Sequence, residues 1–161
     1  MKKIDKLTVT TPSEREIRVE RRFDAPRELL FDAHTKPELI KRWLLGPGDW
    51  SMPVCRVDLR VGGRFRYVWS HPDKPDMGMG GVFLEINPPE RIVHSEAFDD
   101  PWYPGECVVT TTFLEKDGRT TLTMRMSYET KEARDVALNS PMEGGIAAGY
   151  ARLDHVLASL R

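Results

Sequence analysis

The sequence predicts an α+β domain in which a curved antiparallel sheet of about seven strands wraps around a long C-terminal helix. Three observations predict this class. One strand pattern precedes two short helical patterns, six further strand patterns are separated by tight turns, and an amphipathic helical pattern closes the chain. Tight turns imply antiparallel pairing, because parallel strands need long crossover connections.

The first elements follow from local signals. Residues 16–23 alternate between apolar and charged side chains, which is typical of a strand, although Arg21 interrupts the apolar face. A helix is predicted over 27–34. A second short helix is predicted to begin at a capping box formed by Thr35 and Glu38.

Turn signals divide the middle of the chain into strands. Strands are expected at 52–59, 63–70, 80–87, 91–98, 106–115 and 119–128. The segment 72–78 is predicted to be a turn, and Asp117-Gly118 is a strong hairpin signal. A sheet of this size bends, so we expect bulges or kinks at 62–63 and 80–81.

The C-terminal pattern is helical. Residues 131–138 are expected to be helical or irregular, and Ser140, Pro141 and Glu143 predict the start of the long helix. Its apolar stripe contains Met142, Ile146, Gly149, Tyr150, Leu153, Val156, Leu157 and Leu160. Such a stripe must be buried, and the open face of the sheet is the large partner available.

Three glycines lie early in this helix, at 144, 145 and 149. Each costs about 1 kcal/mol of helix stability relative to alanine. Their presence indicates a close approach there, either by a ligand or by packing against the sheet.

Composition limits the classes of function. The 161 residues include 40% hydrophobic and 30% charged residues, with a formal net charge of -1. This balance gives no basic surface for nucleic acid or an anionic membrane, and no apolar run approaches the length of a membrane span. We therefore expect a cytoplasmic protein with an N-terminal arm over 1–14 and one domain over 15–161.

The predicted inner faces of the strands are rich in aromatic residues and methionine. Such a lining with a few polar groups is typical of a small-molecule cavity, whereas a solid core of the same composition is the alternative. Trp43 and Trp50 are expected near the mouth. The candidate ligand-binding residues are Trp43, Trp50, Phe65, Tyr67, Trp69, His94, Met124, Met126 and Tyr150.

His94 and Glu96 share one face of a predicted strand. If that face points inward, the two side chains could act as acid and base; a one-residue change of register would turn them outward. No catalytic motif, metal-ligand spacing or phosphate-binding loop is recognised, so no cofactor or metal is expected. The cysteines at 55 and 107 are interpreted as buried thiols.

Several segments resemble one protein family. They are VERRFDAPRELLF at 19–31, DLRVGGRF at 58–65, GVFLEINPPERI at 81–92 and the helix at 140–157. They resemble the SRPBCC superfamily, which includes START-type lipid carriers, and more narrowly the subfamily named for the activator of heat-shock protein 90 ATPase. The resemblance implies a helix-grip fold with an internal cavity.

Three hypotheses for function follow. The first is binding of a small hydrophobic or amphipathic molecule in the cavity. The second is an enzyme of the cyclase or hydrolase type that uses His94. The third is an interaction module with a chaperone partner or with a second copy as a homodimer, although we expect the separate N-terminal domain of the eukaryotic co-chaperone to be absent from this sequence.

Overall fold

The computed structural model describes residues 5–161, which form eight strands and four helices. The strands are β1 Thr8–Thr10, β2 Glu16–Phe23, β3 Ser51–Val57, β4 Arg64–His71, β5 Lys74–Asn87, β6 Arg91–Phe98, β7 Cys107–Lys116 and β8 Arg119–Tyr128. The helices are α1 Arg27–Thr35, α2 Pro37–Trp43, α3 Lys131–Leu138 and α4 Met142–Ser159.

All eight strands belong to one antiparallel sheet in the order β1-β2-β8-β7-β6-β5-β4-β3. Helices α1 and α2 carry the chain from β2 to the opposite edge, and β3 to β8 then return as successive hairpins. This arrangement confirms the predicted fold class. The additional strand is β1, which lies in the segment predicted to be a loose arm and pairs with β2; residues 1–4 of that arm lie outside the described residues.

Alternation along each strand buries one face of the sheet. Ile17, Val19 and Phe23 of β2 are fully buried, and so is Leu122 of β8. Arg21 lies on the same inner face, where both of its terminal nitrogens donate to the carboxylate of Asp154 in α4 at 2.6 Å. The charge that interrupts the apolar pattern of β2 therefore connects the sheet to the helix.

Helix α4 packs its apolar stripe against the sheet and the short helices. Tyr150, Leu153, Val156 and Leu157 are buried as predicted. Leu160 lies beyond the last helical turn and is 36% exposed, so its inclusion in the stripe was wrong.

Both predicted capping boxes are absent from the structure. Thr35 belongs to α1, where its hydroxyl donates to the carbonyl of Phe31 at 2.8 Å, and α2 begins at Pro37. Helix α4 begins at Met142, whose N–H donates to the hydroxyl of Ser140 at 3.3 Å. The Thr35 hydroxyl bonds to the preceding turn of its own helix, as threonines inside helices can, and this bond competes with capping of α2.

Strand β5 corrects two predictions. It spans 14 residues and includes most of the segment predicted to be a turn, and Gly80 and Gly81 lie within regular pairing with β4. The register of β5 against β6 changes between Phe83 and Glu85 instead of at the glycines. Gly81 is needed for another reason: a Cβ there would overlap the carbonyl oxygen of Ser95.

Candidate functional site: the internal cavity

A cavity of ≈ 440 Å³ lies between the inner face of the sheet, α2 and α4. All nine candidate residues from the sequence border it. They are Trp43, Trp50, Phe65, Tyr67, Trp69, His94, Met124, Met126 and Tyr150.

Strand β4 supplies the aromatic wall. Phe65, Tyr67 and Trp69 point inward because side chains alternate along a strand. The ring centroids of Phe65 and Tyr67 are 5.0 Å apart, and those of Tyr67 and Trp69 are 5.9 Å apart. Contact between successive rings holds this wall in one arrangement.

The two helices close the cavity on the other side. The indole N–H of Trp43 donates to the carbonyl of Ala33 at 2.8 Å, which fixes the orientation of the ring. Tyr150 of α4 lies against Trp43, with 6.0 Å between ring centroids. A Cβ at Gly149 would come within 3.2 Å of the Trp43 carbonyl oxygen, so this glycine permits the close approach of α4 to α2.

Four side chains border both the cavity and an adjoining surface groove: Trp50, Met77, Phe98 and Trp102. They define the mouth of the cavity. Trp102 is 40% exposed, as expected for a loop aromatic. Tyr103, the next residue in the same loop, is buried and lies edge-on to Tyr128, with 5.2 Å between ring centroids.

The register of β6 places His94 and Glu96 on the inner face. His94 Nε2 lies 3.0 Å from Glu96 Oε1. The two side chains form a polar pair within a largely apolar lining. The sequence alone did not decide whether this strand face points inward or outward.

His34 is a site residue that the sequence analysis missed. Its Nδ1 lies 2.7 Å from the carbonyl oxygen of Leu30, one turn earlier in α1, and its ring borders the cavity. Burial lowers the pKa of His34 to about 4, partly opposed by the Leu30 hydrogen bond and assisted by the nearby charge of His94. The available signal was helical spacing, since position 34 lies on the same face as Leu30, which is fully buried.

Tyrosine hydroxyls add further polar atoms. Burial raises the pKa of Tyr67, Tyr103 and Tyr150 above the ordinary range, so all three stay protonated near neutral pH. The negative charge of Glu96 adds to this rise for Tyr67 and Tyr103. A protonated hydroxyl both donates and accepts hydrogen bonds.

The thiols are poorly suited to nucleophilic chemistry. Burial raises the pKa of Cys55 to about 11 and that of Cys107 further, so the reactive thiolate is scarce at neutral pH. Among residues 5–161, no group of three or more His, Cys, Asp or Glu side chains is arranged to hold a metal ion.

A curved sheet closed by a long helix, with a cavity between them, defines a helix-grip domain of the SRPBCC class. Within that class, the chain belongs to the family of Activator of Hsp90 ATPase homolog 1-like proteins, whose profile matches residues 24–158.

Solved structures agree with this assignment. A protein from Rhodobacter sphaeroides is 34% identical, with a TM-score of 0.89, over 96% of this chain and 99% of that chain. The fold is shared by a protein from Mycobacterium smegmatis, at 23% identity and a TM-score of 0.83 over 94% of this chain and 97% of that one. It is also shared by an AHSA1-like protein from Aeromonas hydrophila, at 24% identity and a TM-score of 0.73 over 91% of this chain and 95% of that chain. The comparison with curated proteins gave no match. None of the four helices in the described part of the chain has the length and apolar character needed to cross a membrane.

Proposed function

We propose that the protein binds a small, largely apolar molecule in the cavity between the sheet and α4. The volume of ≈ 440 Å³ falls within the range of about 300–1,000 Å³ typical of small-molecule sites. Aromatic rings and methionines supply the apolar surface. Met124 and Met126 can adapt to an irregular ligand, because their side chains are unbranched and flexible.

One observation carries this proposal. Tyr67, Tyr103 and Tyr150 border the cavity, and none of their hydroxyls has a hydrogen-bond partner among residues 5–161. In the same residues, no fully buried side-chain nitrogen or oxygen lacks a partner. The three hydroxyls therefore keep access to open space, and they would be poor choices for a solid core, where polar groups are normally paired.

Two glycines of α4 provide a matched test. Gly145 borders the cavity and Gly144 does not, and a Cβ at either position would meet nothing within 4 Å. Replacing either by leucine is expected to stabilise the helix by up to about 1 kcal/mol. Only Gly145→Leu adds its side chain at a position that borders the cavity.

The experiment compares the native and denatured masses of freshly purified wild type, Gly145→Leu and Gly144→Leu. We expect the wild type and Gly144→Leu to retain an extra mass that denaturation releases, and Gly145→Leu to lose it. Retention of the same mass by all three would place the ligand outside the cavity. If no mass is retained, equilibrium dialysis against 2-methylnaphthalene replaces the retained ligand, and equal or absent binding by all three proteins contradicts the proposal.

A second candidate function is acid–base catalysis in the same cavity. The pairing of His94 with Glu96 at 3.0 Å favours it, because a carboxylate orients an imidazole for proton transfer. The test is hydrolysis of 2-naphthyl acetate by wild type and His94→Ala. A rate above background that is lost in His94→Ala, with the urea unfolding curve retained, supports an enzyme; equal rates contradict it.

A chaperone partner and a homodimer remain predictions. The family name supports the first only through proteins other than this one. A pulldown with heat-shock protein 90 and sedimentation of the purified chain at micromolar concentration test them separately.

A further inference from the structure

We infer that the cavity takes an apolar molecule whose polar end carries a hydrogen-bond donor, a hydroxyl or an amine, and that it rejects anionic amphiphiles. This inference rests on the proposed function and narrows it to a class of ligand. It follows from which polar atoms at the cavity are already bonded and which are not.

Glu96 provides the first unpaired acceptor. Its Oε1 is bonded to His94 Nε2 at 3.0 Å, whereas Oε2 has no partner in the part of the chain that the structure describes. The Glu96 side chain retains 17% exposure. Because Glu96 borders the cavity, the free oxygen is available to a donor on a ligand.

His34 provides the second unpaired hydrogen-bond acceptor. A carbonyl oxygen can only accept, so the contact of 2.7 Å with Leu30 assigns the ring proton to Nδ1. Burial lowers the pKa of His34 to about 4 and keeps the ring neutral at pH 7, so Nε2 carries a lone pair. That nitrogen has no hydrogen-bond partner among the described residues, and it accepts from a ligand O–H or N–H.

The charges around the cavity also disfavour an anionic ligand. Among residues 5–161, no lysine or arginine borders it, and Glu96 is its one carboxylate. Arg21 is engaged by Asp154, and Arg66 at the outer groove is engaged by Asp99, each through two hydrogen bonds. Lys74 borders the outer groove and not the cavity, with its ammonium nitrogen 5.9 Å from the centroid of the Trp50 ring. An anionic head group inside the cavity would lose its hydration and meet the Glu96 carboxylate, and the described lining has no lysine or arginine to offset that charge.

The tyrosine hydroxyls fit either role and do not decide the class. Tyr67 and Tyr103 can donate to a ligand oxygen or accept from a ligand donor. A ligand hydroxyl, which donates to Glu96 or His34 and accepts from a tyrosine, would use both kinds of atom.

Four ligands that share one apolar body test the inference. They are 2-methylnaphthalene, 2-naphthol, 2-(aminomethyl)naphthalene as its ammonium form, and 2-naphthoate. Their dissociation constants for the wild-type protein at pH 7 are measured by equilibrium dialysis, with naphthalene fluorescence as the readout. We expect 2-naphthol to bind about twofold to tenfold more tightly than 2-methylnaphthalene, as one net hydrogen bond would give. Naphthoate is expected to bind at least about tenfold more weakly than either donor-bearing ligand.

Glu96→Gln identifies the responsible group. This change removes the charge with little change of shape, and Glu85→Gln, whose side chain is exposed and pairs with Arg91, makes the same change of net charge away from the cavity. In Glu96→Gln the preference for ammonium over carboxylate should fall by about tenfold, whereas Glu85→Gln should keep it.

The outcomes separate the two claims. Binding of 2-methylnaphthalene with equal or tighter binding of naphthoate would overturn the inference and leave the proposed function standing. Binding of none of the four would overturn both. The comparison of ligands on wild-type protein decides the inference even if Glu96→Gln does not fold.

Discussion

The ion pair between β2 and α4 should respond unequally to removal of its two members. Arg21 is 8% exposed, and its side chain also lies over the ring of Phe23, with 4.5 Å from the guanidinium carbon to the ring centroid. The Asp154 side chain is 43% exposed. Water therefore reaches the carboxylate readily and the guanidinium poorly.

Loss of the carboxylate is the more damaging change. Asp154→Ala removes both 2.6 Å hydrogen bonds and leaves the cation with one long contact of 3.4 Å to the carbonyl of Arg22. Hydrogen bonds to charged groups contribute about 1.5–3 kcal/mol, and breaking a fully buried pair costs about 3–5 kcal/mol. Because water can enter beside the half-exposed position 154, we expect a cost of about 2–3 kcal/mol.

Loss of the cation should be milder. Arg21→Met replaces the buried charge with an apolar chain of similar length, and the remaining Asp154 can be hydrated. Replacing buried charged groups by apolar ones is often neutral or stabilising, so we expect a cost below about 1 kcal/mol. The double variant Arg21→Met with Asp154→Ala should then be nearly as stable as Arg21→Met alone.

Equilibrium unfolding in urea, followed by far-ultraviolet circular dichroism, measures the four proteins of this cycle. His155→Ala, at the neighbouring exposed position of α4, corrects for the greater helix propensity of alanine. The reasoning is refuted if Arg21→Met destabilises the protein as much as Asp154→Ala, or if the two single effects simply add.

Three further predictions concern the walls of the cavity. Gly81→Ala should lower the free energy of unfolding by more than about 2 kcal/mol in urea titrations, because its Cβ would overlap the carbonyl of Ser95; a smaller effect would show that the strands separate easily. The unfolded chain protonates His34 near pH 6.5 but the folded chain only near pH 4. The free energy of unfolding therefore decreases as the pH is lowered from about 6.5 towards 4. Wild type should lose about 2 kcal/mol more than His34→Gln between pH 7 and pH 5, and parallel losses would argue against a neutral buried ring. Trp43→Phe should cost about 1–3 kcal/mol in thermal unfolding by leaving the Ala33 carbonyl without its donor, and an unchanged midpoint would show that water replaces it.

The sequence predicted the walls of the cavity because strand periodicity decides which side chains share a face. Phe65, Tyr67 and Trp69 alternate with arginine and other outward residues, and their common orientation follows from the pleat alone. Helical spacing identified Tyr150 in the same way. These residues could be predicted without knowledge of the strand order.

Features that depend on tertiary contacts could not be predicted in this way. Nothing local distinguishes Tyr103, which is buried against Tyr128, from its exposed neighbour Trp102. The segment 72–78 has the composition of a turn, yet most of it extends β5 because β4 offers paired backbone groups beside it. Arg21 shows the same limit, since its partner lies 133 positions away in the chain.

Two glycines of α4 border the cavity, and they differ in what surrounds them. At Gly149 the missing side chain lets α4 approach α2 until a Cβ would be 3.2 Å from the Trp43 carbonyl oxygen, so the helix seals the domain there. One turn earlier, at Gly145, the missing side chain leaves space that no neighbouring atom fills within 4 Å of a Cβ. One residue type therefore has opposite consequences at two positions on one helix. A larger residue at 149 would separate the helix from its support, whereas a larger residue at 145 would occupy the space in which we propose that a ligand binds.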